Sequence, residues 1–97
     1  MRKSAVSLAS AIILRAISDG HRYGFEIMQV TGLASGTIYP ALRRLEESGL
    51  IESHHEEYGE SFVPEGPPRK HFRVTAAGKK VLEAARERYP LIGARQD

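Results

Sequence analysis

Apolar residues recur along this chain at two spacings, and the spacings divide it into elements. Leu8, Ile12, Ile13, Leu14 and Ile17 form a broad apolar surface that predicts a helix over Ser7–Ser18, ended by Asp19-Gly20. Phe25, Ile27, Met28 and Val30 predict a second helix over Tyr23–Thr31, and Gly32 ends it and opens a turn. In the third, Ser35–Ser48, an advance of about 100° per residue puts Ile38, Leu42 and Leu45 on one face. Gly49 stops that helix. Two short helices joined by a tight Gly-containing turn make a helix-turn-helix. Pro40 lies in or near the first turn of the third helix, where a missing N–H is tolerated.

The pattern then changes. Leu50–His55 and His71–Val74 read as paired strands, separated by a loop in which Tyr58–Pro68 holds two Gly and three Pro. Thr75-Ala76-Ala77-Gly78 caps a last helix that runs to about Arg88 and is ended by Pro90. The predicted fold is mainly α with a small β-hairpin: a winged helix-turn-helix with a three-helix core, a two-stranded wing and one C-terminal helix. A single domain is expected over 1–97. Its core spans about 7–74, the last helix about 75–89, and 90–97 form a tail.

Composition narrows the function. The chain has no cysteine, so disulfides and thiolate metal sites are excluded, in keeping with a cytoplasmic location. Its longest mostly apolar stretch, around Ala5–Leu14, is too short to span a bilayer and lacks a small-residue cleavage site, so no membrane role is expected. Net charge is only +2 but unevenly spread: Leu45–Gly66 has seven Glu and no Lys or Arg, whereas Pro67–Arg88 has seven bases and two acids. A basic surface must be local to attract phosphate, so this asymmetry outweighs the total.

The outer face of the third helix carries Gly36, Pro40 and Arg43, flanked by Thr37, Tyr39 and Arg44. Such a helix suits the major groove of duplex DNA. Ser35 and Thr37, at its N-terminus, can donate to phosphate or base edges, and Tyr39 to the backbone. Arg43 is the candidate base reader, since a guanidinium fork matches the two acceptors of guanine, and Arg44 reaches a flanking phosphate. The alternative pairs both arginines with Glu46 and Glu47 on an ordinary solvated face. Tyr23 either bonds a phosphate beside Gly24 or packs internally. Arg69 and Lys70 suit a wing contact with DNA, or else form a solvated charge pair. Glu56, Glu57, Glu60 and Glu65 would repel the duplex from the wing's first half.

The chain resembles the PadR family of transcriptional regulators. The likeness rests on Ile13-Leu14 and Ile17, Tyr23-Gly24-Phe25-Glu26-Ile27, and the run from Ser35-Gly36-Thr37-Ile38-Tyr39-Pro40 through Ala41-Leu42-Arg43-Arg44-Leu45-Glu46. It continues in Gly49-Leu50-Ile51 and Arg69-Lys70-His71-Phe72-Arg73-Val74-Thr75. It implies a bacterial or archaeal homodimeric repressor of the short subclass, binding a palindromic operator as a symmetric pair. An inducer, if there is one, is an unknown small molecule. Leu8 and Ile12, with Ile13, offer more apolar surface than a small core covers, and Val81, Leu82, Ala85 and Tyr89 line the last helix. These residues are expected at the dimer contact, with completion of the monomer core as the alternative. A dimer would place two recognition helices about 34–36 Å apart.

Other functions fare less well. No phosphate loop, HExxH or GxSxG motif is present, so no enzyme is expected. His54, His55 and His71 are the only metal-like set, but adjacent strand residues point to opposite faces, so neither metal nor cofactor is expected. A protein-interaction module using the acidic wing is the second reading. Double-stranded RNA is disfavoured, because its major groove does not admit a helix.

Overall fold

In a computed structural model the chain is described over residues 6–55 and 70–93. Helices α1 (Leu8–Ser18), α2 (Gly24–Thr31) and α3 (Ser35–Glu47) precede the hairpin β1 (Ile51–His55) and β2 (Lys70–Val74), followed by α4 (Ala76–Arg88) and α5 (Pro90–Gly93). The strands are antiparallel, with Ile51 opposite Val74 and His54 opposite His71. Tyr23 forms an isolated bridge with His71, and the Phe72 N–H donates to the Arg22 carbonyl at 2.9 Å. The chain entering α2 thus borders the sheet on its far edge.

Local chemistry sets the boundaries. Ser7 caps α1 by accepting from the Ser10 N–H at 3.1 Å. Gly32, at φ +76°, closes α2 in the left-handed conformation that a tight helix-turn-helix needs. Gly49, at φ +77°, does the same after α3. Thr75 works twice: its hydroxyl donates to the Gly49 carbonyl at 2.7 Å and accepts from the Gly78 N–H at 3.0 Å. The start of α4 is therefore fastened to the end of α3. Gly78 lies so close to the chain entering β1 that an added Cβ would clash with the Leu50 carbonyl oxygen.

The core is shared by every element. Ile13 and Leu14 of α1, Ile27 of α2, Ile38 of α3 and Ile51 of β1 are fully buried, with Leu42, Leu45, Phe72, Leu82 and Ala85 close around them. Burying each large aliphatic side chain stabilises the fold by about 1.5–3 kcal/mol. Among the described residues no helix is long and apolar enough to cross a membrane.

Three expectations change. Pro40 is the sixth residue of α3, one turn further in than expected, and it removes the N–H that would reach the Gly36 carbonyl. Leu82 and Ala85, expected at a dimer contact, are buried in the chain's own core, as is Ile13. The segment read as a tail begins with α5, which Pro90 opens at a position where no N–H is needed. Ile92 is buried there, its carbonyl accepts from Arg15 of α1, and the Tyr89 hydroxyl donates to the Val6 carbonyl at 3.3 Å. Tyr89, another expected dimer contact, thus fastens the chain's end to its own beginning. Arg69 and the acidic residues of the wing's first half lie outside the described residues.

Candidate nucleic-acid interface

Helix α3 has one side in the core and one in solvent. Ile38, Ala41, Leu42 and Leu45 are buried, whereas Ser35, Gly36, Thr37, Tyr39, Pro40, Arg43 and Arg44 are exposed. Ala34 lends the helix no side-chain cap, although its carbonyl accepts from the Thr37 N–H at 2.9 Å, and the helix dipole favours an anion at this end. Ser35 and Thr37 flank that end. Neither Arg43 nor Arg44 is ion-paired among the described residues. The pairing with Glu46 and Glu47 weighed above is not adopted.

Glu46 is held elsewhere. Its carboxylate accepts from the Ser53 hydroxyl at 2.6 Å, tying α3 to β1. Ser53 sits opposite Phe72 in the hairpin register, on the side that packs on the helices. Sequence spacing gave no sign of this bond, because its partners lie in different elements.

Tyr39 has its aim fixed by α2. Its phenol lies over Gly24, where an added Cβ would come within 2.5 Å of the phenolic oxygen and 3.0 Å of the ring. The ring thus occupies the space beside Gly24. A glycine at the start of a predicted helix was the available signal; its partner could not be read from it. Tyr23 stacks on Phe25, with ring centroids 5.8 Å apart, and meets His71 edge-on at 6.1 Å. Its ring is packed as well as half-exposed, so it joins the interface to the hairpin.

These side chains surround one cavity of about 340 Å³ between the start of α2, the middle of α3 and β2. Leu42 and Phe72 form its apolar floor; Tyr23, Tyr39, Arg43 and Lys70 stand around it, with Glu46 on the α3 wall. Four residues singled out by sequence are thereby brought to one concavity. Arg44 is not among them: it is exposed in the last turn of α3. The cavity has two cations, two phenols and one carboxylate, and its cations and phenols have the chemistry to bond a phosphate backbone or a base edge.

The hairpin register does bring His54 and His71 together, with ring centroids 5.5 Å apart, while the Nε2 of His54 bonds the Glu52 carboxylate at 3.2 Å. Among the described residues no group of three or more metal donors converges.

Elsewhere, Leu8, Ile12, Val30, Leu91 and Ile92 line a groove where α1, the end of α2 and α5 meet. Leu8 is 48% exposed, Val30 50% and Leu91 88%. Leu8 and Ile12 were expected at such a face; Val30 and Leu91 were not.

Known proteins resemble this chain in sequence and in fold. The family described as transcriptional regulator PadR-like matches residues 13–84. An uncharacterised protein of Lysinibacillus sphaericus is 36% identical over 80 residues, which span 74% of this chain and 69% of that protein. A PadR family transcription regulator from hypervirulent Clostridium difficile R20291 superposes with a TM-score of 0.73 at 28% identity, covering 90% of this chain and 92% of that one. A transcriptional regulator from Clostridium thermocellum gives 0.68 at 27% identity, with 92% of each chain covered.

Proposed function

Because the chain belongs to the PadR-like family of transcriptional regulators, we propose that it is a homodimeric repressor that reads a palindromic duplex operator with α3. Its relatives are transcription regulators and not enzymes, and DNA-binding regulation is their common role. The observation that carries the finer reading is the exposed face of α3, where Arg43 and Arg44 stand without an acidic partner among the described residues, above a buried apolar face. Arg43 reads a guanine in the major groove, and Thr37 and Ser35 hold the helix N-terminus against phosphate. Tyr39, Tyr23 and Lys70, with Arg69 next to it in sequence, contact the phosphate backbone. The second copy covers the apolar groove lined by Leu8, Ile12, Val30 and Leu91, giving the operator its two-fold symmetry. A protein of this kind works in the cytoplasm, on the nucleoid.

Selection of bound sequences from random duplexes tests this directly. An enriched palindrome whose half-sites are one helical turn apart is expected. Absence of any enriched sequence would sink the proposal.

A further inference from the structure

The cavity beside α3 contains two cations and one carboxylate, and the carboxylate is the one group there that opposes DNA. Glu46 follows Arg43 by three residues, a spacing at which opposite charges on a helix meet. Both line the same cavity, with Lys70 across from them; Glu47, on the other side of Arg43, does not line it. At that spacing Glu46 is within reach of Arg43. Instead its Oε2 accepts from the Ser53 hydroxyl at 2.6 Å, drawn toward β1. The bond is short and its acceptor is charged, so it is stronger than one between neutral groups. It leaves the charge of Glu46 in place but decides where that charge points.

We infer that Ser53 is a positioning residue for DNA recognition: by holding Glu46 against β1, it keeps the Arg43 guanidinium available to the operator. The inference rests on the DNA-binding reading above, with α3 as the reading helix. It also makes the hairpin contribute to recognition through the middle of β1, without touching DNA there. Ser53 is half-buried and opposite Phe72, on the inner side of the sheet, so it acts only through Glu46.

The experiment is a double-mutant cycle on the selected operator, using the full chain, with Arg43→Ala measured alongside. Ser53→Ala should weaken operator binding by about 3- to 10-fold, part of the roughly 5- to 150-fold that a guanidinium–guanine contact is worth. It should also relax preference at the base that Arg43→Ala relaxes. Glu46→Gln should improve binding more in the Ser53→Ala background than in the wild type, and Ser53→Thr, which keeps the hydroxyl, should bind as the wild type does. Denaturant melts of each variant separate loss of fold from loss of reading, since a purely structural bond would lower stability without shifting base preference. If the two substitutions act additively while Arg43→Ala still abolishes base preference, the role of Ser53 is refuted and the reading helix survives. If Arg43→Ala binds the operator as the wild type does, both fall together.

Discussion

Two exposed surfaces of this small protein are built by opposite rules. On α3 the buried side is apolar and the exposed side holds hydroxyls, phenols and guanidinium groups. Where α1, α2 and α5 meet, the exposed side is itself apolar, with Leu91 at 88% and Val30 at 50% exposure. Water or another polar partner satisfies the first surface; the second gains by leaving water altogether. Each chemistry therefore points to a different class of partner, nucleic acid on one surface and protein on the other. One core supports both, because Leu14 and Ile17 of α1 pack with Ile38 and Leu42 of α3.

The core is where both surfaces break at once. Ile38→Ala removes a fully buried side chain beneath the α3 face and should cost about 2–5 kcal/mol of stability, measured by denaturant unfolding. DNA binding and self-association should fall in step with the folded fraction. If one survives in the unfolded fraction, the two surfaces do not share a support. Leu8→Asp with Leu91→Asp attacks the apolar surface alone. Each leucine buried by a partner is worth about 1.5–3 kcal/mol, so sedimentation should show a dimer for the wild type and a monomer for the variant, with the helical circular dichroism unchanged. An unchanged dimer would place the two-fold contact elsewhere.

The two surfaces were not equally legible in the sequence. The α3 face could be read from one helix, because a 3.6-residue period assigns buried and exposed sides without reference to anything else. The caps at Thr75 and Gly32 were legible for the same local reason. The apolar groove was not, since it depends on how distant elements stack. Leu82 and Ala85 have the spacing of an interface but are covered by their own chain, while Leu91 follows a proline that reads as a stop. Pro90 does end α4; it also begins α5, which carries Ile92 into the core. Gly24 under Tyr39, and Ser53 on Glu46, are likewise pairings between elements, which no period encodes.

On the α3 surface, Arg43→Ala should have the largest effect. Loss of one guanidinium–guanine contact removes about 1–3 kcal/mol of discrimination, read as relaxed preference at a single operator position in each half-site. Gly24→Ala should come next. Its added Cβ would stand 2.5 Å from the Tyr39 phenolic oxygen, so the ring must swing away. Operator affinity should fall by about 1 kcal/mol, the worth of a typical hydrogen bond, with no loss of thermal stability, because Ala favours the helix more than Gly does. A variant that binds normally would show that Tyr39 need not be held in place.

Arg44→Ala should have the smallest effect and a different character. Arg44 is exposed in the last turn of α3 and outside the cavity that gathers Tyr39, Arg43 and Lys70. On the proposed reading a guanidinium there meets phosphate, and a phosphate contact carries no sequence information. Affinity should therefore drop by the same modest factor on the operator and on unrelated duplex. The slope of log K against log salt should become shallower by about 0.9, as one fewer counterion is released. Arg43→Ala, by contrast, should change the ratio of operator to unrelated binding. If Arg44→Ala changes that ratio and Arg43→Ala does not, the two arginines have exchanged roles, and the reading edge of α3 is rotated toward its C-terminal end.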